Sequence, residues 1–332
     1  MDSAEPPLFS VIIPTRNRSS LFAVALQSVC DQRFSNFEII VVDVGSSPEH
    51  AERTRTLVEA AAGSARGVSL VRTECLQGPS YSRNFGVEYA HGDYLCFLDD
   101  DDQWTDPAYL HRVARVIATG PEAVDLIFAN QRAYRDGVPQ AGVTWIEDLT
   151  ERLRGQPDAA GSHRVTPKEL LACPAHCHLN TTTVRRQFFD DLGGFDQSIR
   201  YEEDRDLFLR AIDRASLIKY LPVTVSRHNV PDPAARASGS TSISEMSKRL
   251  DQLRLLDKAA LLSVRAELRR YALRERAYVL QHIAAEAVRL GRSDCAGHYA
   301  REALVSRLAM RWPPARALAA LRRRFSAFIF EK

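Results

Sequence analysis

Four consecutive carboxylates, Asp99-Asp100-Asp101-Asp102, follow directly on the apolar run Tyr94 to Leu98. Packed this closely they repel one another, and a hard divalent cation with bound phosphates is the natural compensation. An acidic surface loop would look similar, but the abrupt junction with an apolar run favours a site at a strand's end. A second acidic group, Glu202-Glu203-Asp204-Arg205-Asp206, precedes Leu207 and Phe208. A helix from about Glu203 turns those two apolar residues toward a core and crowds the acids into its first turn, where the helix dipole favours them. Simple charge preference at a helix start gives the same pattern. Gly78-Pro79-Ser80-Tyr81-Ser82-Arg83-Asn84 reads as a glycine-led helix start with Arg83 set to meet a phosphate or a base, or else as a capped helix with Arg83 facing solvent. Ser226-Arg227-His228, followed by Arg236, would close over a pyrophosphate with His228 as a metal ligand, or form a flexible polar loop. Cys173-Pro174-Ala175-His176-Cys177-His178 has the density of a zinc site but lacks the paired second half. Buried thiols with histidines near a cleft are the preferred reading there.

These residues need elements to hold them. Phe9–Pro14, Phe37–Asp43, Val68–Arg72, Tyr94–Leu98 and Val124–Asn130 read as short strands. Between them, Leu21–Cys30, Glu49–Ala62, Ser80–Tyr89 and Pro107–Ala118 carry helical spacing or helix-start signals. Strands alternating with helices predict an α/β, Rossmann-like, doubly wound sheet, in which ligands sit beyond the carboxyl ends of the strands. Three strands end in polar residues: Thr15-Arg16-Asn17, Asp43, and the aspartate run. Residues 134–174 are less regular, and from Ser244 onward the pattern is almost wholly helical.

At 332 residues and 45% hydrophobic, the chain is long enough for one substantial core and a smaller appended unit. A net charge of +2 carries no nucleic-acid signature. No apolar run approaches the roughly 20 residues that span a bilayer. The start lacks a signal-peptide pattern, and six scattered cysteines fit reduced thiols, so a cytoplasmic protein is expected. From Arg301 to Lys332, eight Lys and Arg stand against two acids, with Trp312, Leu318, Leu321, Phe325, Phe328, Ile329 and Phe330 interleaved. This reads equally as a basic amphipathic segment at the inner face of an anionic membrane and as a helix docked on the core or on a second copy in a homodimer.

Four stretches in order, FSVIIPTRNR (9–18), ALQSVCDQRFSNFEIIVVDVGSS (25–47), GPSYSRNFGVEYAHGDYLCFLDDDDQW (78–104) and LGGFDQSIRYEEDRDLFLR (192–210), resemble the family 2 glycosyltransferases with their GT-A fold. The resemblance covers about residues 8 to 230. It implies a catalytic domain over 1–240, with a nucleotide-binding half (about 8–105) and an acceptor half (about 106–240), and a helical region over 241–332. Pro14, Thr15 and Asn17 would line the nucleotide pocket, with Asp43 by the base or ribose. Arg83 and Asp100 would also face the donor. Asp99 and Asp101 match the outer positions of the DXD motif. Asp101 would be the direct ligand of Mn2+ or Mg2+, joined by Asp99 and His228, and Asp99 would also approach the ribose or sugar. Asp204 matches the general base, with Glu203 beside it.

The resemblance therefore implies an inverting, non-processive transfer of one sugar from a nucleotide diphosphate sugar to a glycan or lipid-linked acceptor. Asp204 would take the proton of the attacking hydroxyl. Where the family has a second acid after Asp43, this chain has Val44, which accepts no hydrogen bond from a uracil imide. A UDP- or dTDP-sugar is expected, with a GDP-sugar open. His176, His178 and Asn180 to Thr183 would line the acceptor pocket, although core packing explains the threonines equally well. A sugar nucleotidyltransferase would carry Gly-x-Gly-x-Arg after the first strand, where Pro14-Thr15-Arg16-Asn17 stands. No Gly-x-Gly-x-x-Gly follows that strand to bind a dinucleotide. A catalytically silent nucleotide-sugar-binding scaffold would have no need of Asp99, Asp101 and Asp204 together.

Overall fold

The computed structural model describes residues 6–65, 67–140, 149–230 and 243–311. In chain order the elements begin with β1 (Phe9–Thr15), α1 (Ser19–Cys30), β2 (Phe37–Val44), α2 (Pro48–Ala60), β3 (Gly67–Thr73), α3 (Pro79–Val87), β4 (Tyr94–Phe97), β5 (Gln103–Trp104), α4 (Tyr109–Ala118), β6 (Leu126–Arg135) and β7 (Val138–Pro139). There follow α5 (Leu149–Arg152), β8 (His163–Arg164), α6 (Pro167–Leu171), a 3-10 turn at Leu179–Thr181, β9 (Thr182–Arg185), α7 (Arg186–Asp191), α8 (Glu203–Arg214) and β10 (Ile218–Asn229). Three long helices close the description: α9 (Glu245–Leu262), α10 (Ala266–Arg289) and α11 (Ser293–Arg311).

One mixed sheet runs in the order β3-β2-β1-β4-β9-β6-β10-β5, with β7 and β8 on its margins. β1, β2, β3 and β4 are mutually parallel, and β6 is parallel to β10. β9 is antiparallel to both of its neighbours and makes the sheet mixed. β1 and β2 are buried on both faces, which is why they read as unbroken apolar runs rather than alternating ones. α1 lays Phe22, Ala25, Leu26 and Val29 on one side of the sheet, at the spacing its sequence shows.

Register sets the geometry of the strand ends. Thr15 pairs with Asp43, so β1 and β2 finish level. Ile12 pairs with Phe97, so the chain leaving β4 passes beside Pro14 and Thr15 as it enters the aspartate run. Two glycines permit this closeness. A Cβ on Gly92, just before β4, would lie 2.6 Å from the Ser10 nitrogen, and one on Gly86 of α3 would lie 2.6 Å from Ile12 Cγ2.

The predicted strands and helices of the first half all form, with boundaries moved by a few residues. Among the described residues, five further strands form that the sequence did not predict, β5 and β7 to β10, and β9 and β10 matter most to the site. β9 is short and polar, and its register buries Thr182 and Thr183 in the sheet. The threonines thus belong to core packing, with Thr183 Oγ1 3.4 Å from both the Cys96 Sγ and the Tyr109 hydroxyl. β10 contains Pro222, which argues against a strand, yet the pairing with β6 slips between Leu221 and Thr224 and again before Ser226. These irregularities take up the proline, and Arg227-His228 becomes the end of a strand rather than a flexible loop.

Contacts divide the chain into residues 1–242 and 243–332. In the second unit α10 packs against both α9 and α11. No described helix is long and apolar enough to cross a membrane. The basic amphipathic stretch expected at the C-terminus lies, from Trp312 on, outside the described residues.

Candidate active site

The aspartate run is anchored residue by residue. Asp100 is buried, accepting from Thr15 Oγ1 at 2.8 Å and Arg18 Nη1 at 3.1 Å. The same Arg18 nitrogen lies 2.9 Å from Asp101 Oδ2. Asp102, 2% exposed, accepts from the backbone of Asn229 (2.7 Å), the side-chain amide of Asn180, and His228 Nδ1 (2.8 Å). The Asn180 side-chain oxygen, Oδ1, accepts from the Asp99 N–H, so one side-chain amide holds both ends of the run. Asp99 and Asp101 remain partly exposed. Burial, then the neighbouring Asp102, Asp99 and Asp100, push the Asp101 carboxyl up to about 7 against the pull of Arg18. Burial likewise raises Asp100.

Arg83 departs from both of its expected settings. It is 5% exposed, with Nη2 2.6 Å from Asp99 Oδ1 and Nη1 2.6 Å from Glu203 Oε1, and its Nε has no partner. It is a buried strut between the end of β4 and the start of α8, neither facing solvent nor held out toward a phosphate. Burial would raise the Asp99 carboxyl, but Arg83 outweighs it, with His178, and holds it below its ordinary range.

The start of α8 is fixed from several sides. Glu202 takes a left-handed backbone (φ 58°), which turns the chain sharply into the helix. Arg210 reaches back along α8 to the carbonyls of Leu192 (3.0 Å) and Gly194 (2.8 Å). The Asn84 side-chain amide clasps the Phe195 backbone with two hydrogen bonds of 2.9 Å, donating to its carbonyl and accepting from its N–H, and a Cβ on Gly194 would strike that amide at 2.8 Å. The Gly-Gly-Phe turn is therefore held against α3 as well as α8. Asp204 lies with Oδ2 3.2 Å from His176 Nε2. A small apolar pocket lined by Leu126, Phe128, Leu179, Leu207 and Phe208 also reaches Asp204. Burial alone would raise Asp204, but His176, His178 and Arg83 hold it well below the usual carboxylate range. Glu203 goes the other way. Burial, with Asp204 adjacent, lifts it to about 7 despite Arg83.

His178 and His228 lie tilted at 52° to each other, with ring centroids 4.8 Å apart. Burial and His228 lower the His178 pKa, whereas Asp102 raises that of His228 against the effect of burial. Asp102, His178 and His228 each offer a ligand atom within 4.8 Å of the others. A carboxylate on His228 Nδ1 orients the ring in the way second-shell acids orient metal-ligating histidines. Beside them stand Asp99 and Asp101, in a run of four acids whose nearest cations are Arg18 and the shared Arg83. This donor set and its surplus of negative charge fit a divalent cation. Cys173 and Cys177 are buried, unbridged thiols, and burial pushes the Cys177 thiol well up. Of the Cys173–His178 segment, only His178 joins the three-residue cluster.

On the nucleotide side, Asn17 sits in the left-handed region (φ 54°), its N–H on Ser46 Oγ and its Oδ1 on the Ser47 N–H. It ties the ends of β1 and β2 together. Asp43 is buried, accepting from the Ser46 N–H at 3.1 Å and Arg72 Nη1 at 3.0 Å, and Val44 follows it at the strand's end. Pro14 ends the apolar part of β1 half-exposed. The structure thus joins Thr15, Asp99, Asp100, Asp101, Asp102, Glu203 and Asp204 in one connected region. Asn180, expected at the acceptor pocket, holds Asp99 and Asp102 through its side chain, and His178, expected there too, stands beside Asp102 and His228. Arg18, Asn84 and Asn229 carried no assigned role in the sequence. Arg18 and Asn84 lay inside the quoted motifs, and nothing local marked Asn229.

A central sheet of mostly parallel strands with flanking helices is the GT-A type of α/β fold. Residues 10–173 match the model of glycosyl transferase family 2, and the chain belongs to that family. The amylovoran biosynthesis glycosyltransferase AmsB of Erwinia amylovora is 27% identical over 207 residues, spanning 61% of this chain and 63% of that protein. S. aureus TarS 1–349 in complex with UDP-GlcNAc superposes with a TM-score of 0.58 at 18% identity, covering 87% of this chain and 89% of that one. A mannosyltransferase, PcManGT from Pyrobaculum calidifontis, in complex with GDP-Man and Mn2+, gives 0.60 at 18%, covering 99% and 82%. The protein is a glycosyltransferase of the family 2 type, with relatives in polysaccharide and glycolipid biosynthesis.

Proposed function

We propose that the chain transfers a single sugar from a nucleotide diphosphate sugar to a glycan or lipid-linked acceptor, with inversion at the anomeric carbon and dependence on Mn2+ or Mg2+. The observation that carries this reading is the Arg83 bridge. One buried guanidinium joins Asp99 to Glu203, residues 104 apart, and so brings the acidic strand end and the acidic helix start into one site. Asp101, Asp99 and His228 would hold the cation, with Asp102 orienting His228. A cation there supplies positive charge to the departing diphosphate. Thr15 and Arg18 fix the acidic run, and Asn17 and Asp43 shape the nucleotide end of the cleft. Asp204, kept ionised beside His176, accepts the proton of the attacking hydroxyl in a single in-line displacement. His176 is a positioning residue for that carboxylate.

A UDP- or dTDP-sugar is the favoured donor and a GDP-sugar the alternative. The two solved complexes carry one uridine and one guanosine donor, and Val44 here offers no hydrogen bond to a base. Thermal-shift measurements with UDP, dTDP, GDP and CDP, each with and without Mn2+, test the reading. One nucleotide should stabilise the protein only with metal, and Asp101→Ala should remove that increment. If no nucleotide does so under any metal condition, a silent scaffold becomes the better account.

A further inference from the structure

The chain divides its charge unevenly. Residues 243–332 hold 19 Lys and Arg against nine Asp and Glu, a net of +10, while residues 1–242 hold 25 against 33, a net of −8. Within the positive unit, the turn between α9 and α10 presents Leu261 at 80% exposure, Leu262 at 64% and Val264 at 70%. The turn is ordered. Arg269 donates to the carbonyls of Ser263 (2.6 Å) and Val264 (2.8 Å), and Leu256 and Leu268 are buried behind it. Near it in sequence, Arg254, Lys258, Arg265, Arg269 and Arg270 stand against Asp251, Asp257 and Glu267, a local surplus of two positive charges, with Arg254 paired to Asp251.

The opposite end of α10 is an internal control. Val288 and Leu290 are also exposed there, but Glu286 and Asp294 balance Arg289 and Arg292, and Arg289 is already paired with Glu286. Apolar exposure combined with positive charge therefore marks the Leu261–Val264 turn and not its counterpart. Three side chains at a convex turn supply a small fraction of the ~800 Å2 per partner of a stable protein interface. An anionic bilayer asks for no such area. Shallow apolar insertion and cations over the headgroups suffice, and no spanning helix is needed.

We propose that the Leu261–Val264 turn inserts into the headgroup layer of an anionic membrane, with the nearby arginines and Lys258 over the lipid phosphates. This docking stands independently of the transfer reaction read from the cleft, and its test uses no activity. The full chain is sedimented with vesicles of phosphatidylcholine alone and with vesicles in which a third of the lipid is phosphatidylglycerol. Binding is expected on the second and not the first, and high salt should weaken it. Joint replacement Leu261→Ser, Leu262→Ser and Val264→Ser should lower the bound fraction about tenfold or more, whereas Val288→Ser with Leu290→Ser should leave it unchanged. A Val264→Trp reporter should shift its emission to the blue on anionic vesicles. Circular dichroism checks that each variant is folded. Equal partition of the triple variant and the parent, equal binding to neutral vesicles, or an unshifted reporter overturns the proposal. So does a dimer in light scattering that the triple variant loses, which assigns the turn to a second copy, or RNA binding that the triple variant loses.

Discussion

At the scale of single residues the site is a set of opposed charges in which each partner sets the state of the next. Replacing Asp204 by Asn should leave metal-dependent nucleotide binding intact while turnover falls by about 10²–10⁴, and normal turnover would point to another base. His176→Ala should slow turnover by about tenfold and move the acid limb of the pH–rate profile upward, because Asp204 loses a group that holds its pKa down. An unchanged profile would remove His176 from the mechanism. Arg83→Met leaves two carboxylates facing each other in a buried place and should cost about 3–5 kcal/mol, as unpaired buried charges do. Arg72→Met, at an exposed partner of Asp43, should cost far less. Denaturant titrations compare the two. Glu203 and Asp101 are both lifted to about 7. Between pH 4.5 and 7 the folded protein thus holds protons that the unfolded chain has released, so these groups make stability fall as pH rises. Melting temperatures of Glu203→Gln across pH 5 to 7 should fall less steeply than those of the parent, and an equal slope would contradict the raised pKa.

At the scale of elements, the site depends on how closely α3 approaches β1 and β2. Gly86→Ala sets two effects against each other. Alanine gains up to about 1 kcal/mol over glycine in a helix, while a Cβ 2.6 Å from Ile12 Cγ2 and 2.9 Å from Val42 Cγ2 is overpacked by about 1–3 kcal/mol. Both neighbours are fully buried β-branched residues on central strands, with nowhere to move. A net loss of stability is therefore expected by thermal melting, together with weaker nucleotide binding, because α3 carries Arg83 and Asn84. A gain in stability would mean that the sheet yields more easily than its packing indicates.

At the scale of the whole molecule, the two units carry opposite net charge. A chain shortened to residues 1–242 should keep the nucleotide-induced rise in melting temperature and lose binding to anionic vesicles. Loss of the nucleotide response would show that the helical unit is needed to form the donor site.

Much of the fold was legible because doubly buried parallel strands must be apolar along their whole length, and Phe9–Pro14 and Phe37–Asp43 announce themselves that way. The aspartate run and the Glu203-Asp204 pair stood out because charge beside apolar sequence is costly without a purpose. The local sequence could not say what each acid touches. Arg83 looked like a helix-start cation, and only the packing of α8 against α3 makes it a strut between Asp99 and Glu203. β10 hid behind Pro222, which a slipped register accommodates, and Asn180 and Asn229 reach Asp102 from 78 and 127 residues away. Sequence determined which segments form strands and which residues carry charge, since both follow from side chains close along the chain. Tertiary structure alone decided which charges pair, because that depends on the strand order that brings β4, β9 and β10 together around Asp102.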